Sequence, residues 1–213
     1  MKIVLFGATG MVGSPIAAEA VRRGHEVVAV SRSGGAPVDS PLLTAVAADA
    51  TSAGTVAELT QGADVVASAV VPPRDSRDPR APFFAMYDAL LDGARAGGVR
   101  RVVIVGGAGS LQVAPDTVLK DTPGFPAELK AEAQAHADLL ANLDEVDDPD
   151  WTYISPAANI APGERTGAFR VGGDALLTDA EGNSRISTED YAVAFIDEIE
   201  TAGHPKTRIS VAY

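Results

Sequence analysis

Residues 3–13 read IVLFGATGMVG, a run of four apolar residues followed by three glycines spaced three apart. A continuous apolar run of this length predicts a strand that is buried on both faces. The segment from Met11 to Arg23 then carries apolar residues at helical spacing, and Gly24 follows it as a helix stop. The stretch therefore predicts a strand, a glycine-rich turn and a helix in direct succession.

This order of elements is typical of a dinucleotide-binding turn. Gly7 would allow the tight turn, Gly10 the close approach of a pyrophosphate, and Gly13 the packing of the helix on the strand. Free N–H groups and the helix dipole would then stabilise the phosphates. A glycine-rich turn without a ligand is the alternative. The predicted cofactor-binding residues of this turn are Gly7, Thr9, Gly10, Met11, Val12 and Gly13.

Beyond this turn, short apolar runs alternate with longer helical segments. The predicted strands are Ile3–Phe6, Val27–Val30, Leu43–Ala47, Asp64–Val70, Arg101–Val105, Trp151–Ile154 and Arg208–Val211. The predicted helices are Met11–Arg23, Thr55–Gln61, Phe83–Ala96, Ala127–Leu143 and Glu189–Thr201. The alternation predicts an α/β fold, a Rossmann-type doubly wound parallel sheet with helices on both faces, in one domain over residues 1–213. We expect residues 106–125 to form a long loop, and residues 155–185 to form a small irregular cap over the sheet edge.

The composition excludes several classes of function. The chain has 213 residues and a net charge of −12, and such an acidic protein repels nucleic acid and anionic membranes. Cysteine is absent and the three histidines are far apart, so we expect no metal site. No apolar run approaches the roughly 20 residues that span a bilayer, and the first apolar run is too short for a signal peptide. We expect a cytoplasmic protein with a small-molecule substrate; its oligomeric state stays open.

The end of the second predicted strand distinguishes the two nicotinamide cofactors. A carboxylate there would bind the ribose 2′-hydroxyl of NAD, whereas an arginine would bind the 2′-phosphate of NADP. The sequence has Arg32 between two serines that could also donate hydrogen bonds, and no carboxylate occurs until Asp39. Arginine pairs well with phosphate, although a solvated loop arginine is the alternative. We therefore expect NADP (NADPH) as the cofactor and regard NAD as less favoured.

Five motifs resemble the atypical short-chain dehydrogenase/reductases, over nearly the whole chain. They are MKIVLFGATG at residues 1–10, GGAGS at 106–110, SPA at 155–157, PGERTG at 162–167 and ISTEDYA at 186–192. The resemblance is to the NAD(P)H-binding group that includes proteins named NADH-flavin reductases, which is similar to biliverdin reductase B and the NmrA-like proteins. The first motif is specific to the superfamily, and the last three together are fairly specific to this group.

The resemblance implies further cofactor contacts at the carboxyl ends of strands. Small residues of this kind also serve in ordinary packing and turns, which is the alternative for each of them. The implied contacts are Asp49 and Ala50 near the adenine; Ser68, Ala69 and Val70 along the cofactor; Gly107, with Gly109 and Ser110, below the nicotinamide; and Pro156 and Ala157, with Ser155, near the carboxamide.

The catalytic pair of most dehydrogenases in this superfamily, a tyrosine four residues before a lysine, is missing. None of the four tyrosines has a lysine four residues later. Reduction of a carbonyl to an alcohol needs a proton donor in place. A flavin or quinone accepts hydride into a delocalised system and can take its proton from water. The missing pair therefore argues against an alcohol dehydrogenase.

Other side chains could contribute to such a site. Lys130 opens the helix where the lysine of the pair would lie, and it could bind the nicotinamide ribose or be a surface lysine. Ser110 could donate a hydrogen bond to a substrate oxygen as a catalytic residue, or it could hold a turn. Arg74, Arg77 and Arg80 repeat in a Pro-rich loop; they could attract an anionic substrate or serve solubility alone.

We predict an NADPH-dependent oxidoreductase that transfers hydride to a flavin or a related conjugated acceptor such as a quinone. The alternative is a non-catalytic sensor that binds NADP and contacts a regulatory partner, since the missing pair fits both. An epimerase or isomerase that uses bound NADP is a third hypothesis, although it would normally need the tyrosine. The sequence does not identify the acceptor.

Overall fold

The computed structural model describes residues 1–72 and 78–213. Arg74 and Arg77, which could attract an anionic substrate or serve solubility alone, lie outside the described residues. The strands are β1 Lys2–Phe6, β2 Glu26–Ser31, β3 Leu43–Ala47, β4 Val65–Ser68, β5 Arg101–Val105, β6 Gln112–Ala114, β7 Thr117–Val118, β8 Asp150–Ser155, β9 Asn159–Ala161, β10 Arg170–Gly172, β11 Arg185–Ser187 and β12 Thr207–Ala212. The helices are α1 Gly13–Arg22, α2 Ala53–Thr60, α3 Arg80–Ala96, α4 Lys130–Leu143 and α5 Thr188–Thr201.

The main sheet has eight strands in the order β10-β12-β8-β5-β4-β1-β2-β3. All neighbouring strands are parallel except β10 and β12, which are antiparallel. The strand order reverses at β1, which lies between β2 and β4. This topology confirms the predicted doubly wound sheet, and each predicted strand and helix is present with small shifts of its ends.

Two apolar cores cover the two faces of the sheet. One core contains Ile16 of α1 and Phe195 of α5, and the other contains Val56 of α2, Tyr87 of α3 and Leu139 of α4. The strands of the sheet centre are buried on both faces, since successive side chains of a strand point to opposite sides. Burial on both faces explains why these strands have continuous apolar runs rather than alternating ones.

Two segments predicted to be irregular contain short strands. Residues 106–125 include the hairpin of β6 and β7, while β9 pairs with β11 and β10 extends the main sheet beside β12. These strands have two or three residues each; β6, β9 and β10 are largely exposed, β7 is half-buried, and two of the three residues of β11 are buried. Such strands carry neither a long apolar run nor a clear alternation, so the sequence does not reveal them. The cap over the sheet edge stays a prediction.

The buried carboxylate of Asp190 anchors residues 162–168, which are exposed. It accepts hydrogen bonds from the Thr166 hydroxyl at 2.5 Å, the Gly167 N–H at 2.7 Å and the Tyr213 hydroxyl at 2.9 Å. Burial by itself would raise the pKa of Asp190, but these hydrogen bonds hold that pKa below its usual value. The anchor is therefore an ionised carboxylate with three donors.

A second buried carboxylate, Glu19 of α1, holds the same segment. It is 4% exposed and accepts hydrogen bonds from Arg22, Arg23 and Arg165. Arg165 belongs to residues 162–168 and donates through two nitrogens, at 2.9 and 3.0 Å. Although burial opposes ionisation, the three guanidinium groups hold the pKa of Glu19 well below its usual range. Residues 162–168 are thus tied to α1 and α5 by polar contacts.

Candidate cofactor site

The carboxyl edge of the sheet brings together the loops that follow β1, β2, β3, β4, β5 and β8. These strands are parallel, so their carboxyl ends meet at one edge, where open α/β sheets bind ligands. The predicted cofactor-binding residues belong to these strand ends and loops or to the start of α1, and Lys130 opens α4. Their common placement makes this edge the candidate site.

Two glycines of the first loop are required by close packing. Gly7 has a φ of +76°, and a Cβ there would lie 2.8 Å from the backbone of Ala69. A Cβ at Gly13 would lie 2.1 Å from the Gly7 carbonyl oxygen, far inside van der Waals contact. Gly7 therefore makes the tight turn and Gly13 lets α1 approach β1, as their spacing predicts.

Gly10 has a different environment, because little protein lies beside it. A Cβ added to Gly10 would meet only the Gly7 carbonyl oxygen, at 3.4 Å. Helix α1 also starts without a side-chain cap. Within the described chain, the N–H groups of Thr9, Met11 and Val12 have no hydrogen-bond partner. These free donors form a cradle that fits a pyrophosphate, which accepts hydrogen bonds and favours the positive end of the helix dipole.

Arg32 and Asp49 extend from neighbouring loops at this edge. Arg32 is exposed, and the described chain offers it no hydrogen bond or ion pair. The Thr51 N–H, 2.9 Å from Asp49 Oδ1, and then the charge of Arg32 hold the pKa of Asp49 below its usual value. Ser31 is buried, and its Oγ accepts from the Gly34 N–H at 3.0 Å. Ser31 therefore holds the turn that presents Arg32.

The loop after β4 is supported from below by Tyr87. The Tyr87 hydroxyl lies 3.0 Å from Ser68 Oγ and 3.4 Å from the Val70 carbonyl oxygen. Ser68 and Ala69 are buried and Val70 is partly buried. Burial raises the pKa of Tyr87. Tyr87 is thus a neutral support for the strand end that the resemblance assigns to the cofactor.

The loop after β5 is pressed against the side chains beneath it. A Cβ at Gly106 would lie 2.2 Å from the Tyr153 ring, one at Gly107 3.0 Å from His136, and one at Gly109 2.6 Å from Ala133. The Tyr153 hydroxyl accepts from the Gly107 N–H at 2.8 Å. Burial lowers the pKa of His136 to about 4, so its imidazole is neutral at pH 7. The glycines of this motif therefore have a packing role that their spacing alone does not reveal.

Replacing Tyr153 with phenylalanine should destabilise the protein by about 1–3 kcal/mol, the usual penalty for a buried polar group left unpaired. The substitution removes the acceptor of the Gly107 N–H and the donor to the His136 carbonyl, 3.1 Å away. Urea unfolding measures the loss. Ser33→Ala, at an exposed hydroxyl, is the control and should change stability by less than about 0.5 kcal/mol. A Tyr153→Phe effect as small as that of the control would contradict this role.

Ser155, the last residue of β8, carries a hydroxyl that is not hydrogen-bonded to any described residue. Its side chain is fully buried, and its hydroxyl has no hydrogen-bond partner in the described chain. Pro156 and Ala157 follow it and are also buried. Because buried hydroxyls are nearly always paired, an unpaired one at this edge fits a site whose ligand or water completes the bonding.

Lys130 and Ser110 differ in whether their polar groups already contact other residues of the protein. Lys130 is exposed at the first residue of α4, and its ammonium forms no ion pair within the described chain. Ser110 is half-buried, and its Oγ accepts from Arg208 Nη1 at 2.9 Å. The sequence alone does not predict Arg208 as a site residue. A serine hydroxyl that accepts from arginine still has its own hydrogen to donate.

The four tyrosines are all engaged inside the protein. Burial raises the pKa of Tyr87, Tyr153 and Tyr191, the opposite of what a catalytic tyrosine needs. No tyrosine hydroxyl is left free at the candidate site. The hydroxyls contact Ser68 and Val70 (Tyr87), Gly107 and His136 (Tyr153), Ile154 (Tyr191), and Ser187 and Asp190 (Tyr213).

In residues 1–72 and 78–213, no group of three or more histidine, aspartate or glutamate side chains has the arrangement of a metal site. No helix in the same residues has the length and apolar character needed to cross a bilayer.

Comparison with known proteins gives a family and several solved structures. The sequence profile of the NAD(P)H-binding family matches residues 7–201. A structure from Burkholderia pseudomallei is 52% identical, with a TM-score of 0.89 and full coverage of both chains. One from Bacteroides thetaiotaomicron is 40% identical, with a TM-score of 0.92, and covers 100% of this chain and 96% of its own. One from Streptococcus pneumoniae TIGR4 is 34% identical, with a TM-score of 0.83, and covers 100% of this chain and 99% of its own.

The provisional names of these three proteins differ. They are an exported protein, an epimerase and an NADH-flavin reductase, in the order given above. The solved structures therefore agree on the fold and the sequence profile gives the NAD(P)H-binding family, whereas the names of the solved structures do not agree on an activity.

Proposed function

Because the chain belongs to the NAD(P)H-binding family, we propose that it is an NADPH-dependent reductase of a flavin or another conjugated acceptor such as a quinone. The proposed reaction takes place at the carboxyl edge of the sheet. We further propose that it occurs in the cytoplasm, with the small-molecule acceptor as the partner.

The observation that carries this proposal is that all four tyrosine hydroxyls already form hydrogen bonds within the protein. An alcohol dehydrogenase needs an acid at the carbonyl oxygen, and a tyrosine with a lowered pKa normally supplies it. Here burial raises the pKa of three tyrosines, and the fourth donates to Asp190. A conjugated acceptor fits such a site, because it spreads the added charge and can take its proton from water.

The residues of the site divide by the part of the cofactor that they would hold. NADPH, when bound, supplies the hydride. The N–H groups of Thr9, Met11 and Val12 would bind the pyrophosphate, with Gly10 leaving room for it. Arg32 would pair with the 2′-phosphate. The remaining proposed contacts are Asp49 and Ala50 at the adenine, Ser68, Ala69 and Val70 along the cofactor, Gly107 below the nicotinamide, Lys130 at the nicotinamide ribose, and Pro156 and Ala157 at the carboxamide.

The provisional names of the relatives support one activity more than the other. An epimerase that uses a bound nicotinamide cofactor oxidises and re-reduces an alcohol, which again requires an acid and base at the oxygen. The described chain has no free tyrosine for that role. The name of the Streptococcus protein, an NADH-flavin reductase, is compatible with the arrangement found here.

Oxidation of NADPH measured with FMN, riboflavin and menadione tests the proposal, together with titration of NADPH binding. We expect saturable binding and turnover with at least one acceptor. Gly10→Val should lose both, which controls for contaminating reductases. Binding of NADPH without turnover on any acceptor would contradict the reductase and favour the sensor. Absence of binding would contradict both.

A further inference from the structure

Arg208 of β12 links Ser110, in the loop after β5, to the carboxylate of Asp174. Its Nη1 donates to Ser110 Oγ at 2.9 Å and to the Ser110 carbonyl oxygen at 3.1 Å. Its Nε and Nη2 donate to Asp174 Oδ1, at 2.8 and 2.5 Å. The Arg208 side chain is only 9% exposed. The guanidinium is therefore fixed between one carboxylate and one serine.

This arrangement determines how Ser110 can form hydrogen bonds. A guanidinium has donors and no acceptor, so Ser110 Oγ must accept from it. The hydroxyl hydrogen must then point elsewhere, and the described chain contains no acceptor for it. Accepting from a cation also strengthens the hydroxyl as a donor, because hydrogen bonds in a chain polarise one another.

We propose that Arg208 is a positioning residue that makes Ser110 a one-way hydrogen-bond donor to a carbonyl-type oxygen of the acceptor. The inference rests on the proposed reductase function and specifies its acceptor as one that bears such an oxygen. Asp174 in turn fixes the guanidinium through two donors. Arg208 acts on the reaction only through the Ser110 hydroxyl.

The chemistry places the donor where charge develops. Reduction of a quinone joins one hydride from NADPH with one proton from water, and the products are NADP⁺ and the hydroquinone. As hydride forms a C–H bond at a ring carbon conjugated with the C=O, the π electrons shift onto the carbonyl oxygen, which becomes negative. The proton from water then neutralises this oxygen, and the ring tautomerises to the hydroquinone by moving the added hydrogen from carbon to the other oxygen. A donor fixed at that oxygen stabilises the transition state more than the ground state.

Two acceptors separate this role from general support of the loop. Menadione or FMN, whichever the protein reduces faster, has the carbonyl oxygen; an N-methylphenazinium dye accepts hydride on a ring without oxygen. For Ser110→Ala we expect the ratio of the two kcat/KM values, carbonyl acceptor over dye, to fall about tenfold to a hundredfold, less than the loss reported for a fully buried oxyanion donor. Ser110→Thr, which keeps a hydroxyl, should restore most of the ratio.

Arg208→Met should lower the same ratio, and Arg208→Lys, which keeps one donor and the charge, should lower it less. Added to Ser110→Ala, Arg208→Met should change the ratio no further, because a residue that acts through Ser110 is not additive with its loss. Val113→Ala, an exposed side chain on β6 of the same loop region, is the control and should leave the ratio unchanged.

A spectroscopic measurement gives a readout that is independent of turnover. In the complex with NADP⁺, the infrared carbonyl band of bound menadione should lie at lower frequency for the wild type than for Ser110→Ala and Arg208→Met. Equal band frequencies, or equal losses with both acceptors, would overturn the inference while leaving the reductase intact. A wild type that reduces no acceptor would instead overturn the proposed function.

Discussion

Gly10→Val should abolish NADPH binding, with a dissociation constant raised more than about a hundredfold, or about 2.8 kcal/mol, while the protein stays folded. The fold tolerates the change because a Cβ at Gly10 meets only one backbone oxygen, at 3.4 Å. The added side chain would fill the cradle of free N–H groups at Thr9, Met11 and Val12. Fluorescence titration of NADPH measures the binding, and circular dichroism and urea unfolding measure the fold.

Two other glycines provide the controls. Gly54→Val lies at an exposed residue of α2 with nothing within 4 Å of the added Cβ, and it should bind NADPH as the wild type does. Gly13→Val should fail to fold properly, because even its Cβ would lie 2.1 Å from the Gly7 oxygen. Normal binding by a folded Gly10→Val protein would mean that the pyrophosphate does not approach this loop.

Arg32→Ala should weaken NADPH binding by roughly tenfold to a hundredfold and leave NADH binding nearly unchanged. A charge-assisted hydrogen bond contributes about 1.5–3 kcal/mol, and about 1.4 kcal/mol corresponds to a factor of ten. Arg32 is available for this contact, since the described chain gives it no ion pair. The preference should shrink with added salt because the side chain is exposed.

Arg100→Ala is the control for the loss of one positive charge. It removes an exposed arginine next to the start of β5, at the opposite edge of the sheet. That variant should bind NADPH and NADH like the wild type. The measurement consists of the dissociation constants of NADPH and NADH for the wild type and for Arg32→Ala. Equal losses for NADH and NADPH would show that Arg32 does not distinguish the two cofactors.

Much of the fold is predictable because its strands and helices have strong local patterns. The strands of the sheet centre are continuous apolar runs, and Gly7 and Gly13 mark the turn between β1 and α1. The short strands β6, β7, β9, β10 and β11 are not predicted from the sequence. Each has two or three residues, and β10 is fixed by pairing with β12 from a distant part of the chain, which no local pattern records.

The site is less predictable, since its support comes from contacts between distant residues. Arg208 and Ser110 are 98 residues apart, and Tyr153 and Gly107 are 46 apart. The motif at residues 106–110 indicates a loop near the cofactor. Its sequence does not indicate that the glycines fit against Tyr153, His136 and Ala133. Arg32 could be proposed from the sequence because a single residue at the end of the second strand usually distinguishes the two cofactors.

The way residues 162–168 are held has a consequence for motion. Their anchors are hydrogen bonds and ion pairs to Glu19, Asp190 and neighbouring groups, and the segment itself is exposed, so water reaches these two buried carboxylates only when the segment lifts. None of residues 162–168 belongs to the apolar cores that cover the sheet. We therefore expect local opening of this segment to cost less free energy than global unfolding, and we expect its amide hydrogens to exchange with solvent before those of the central strands.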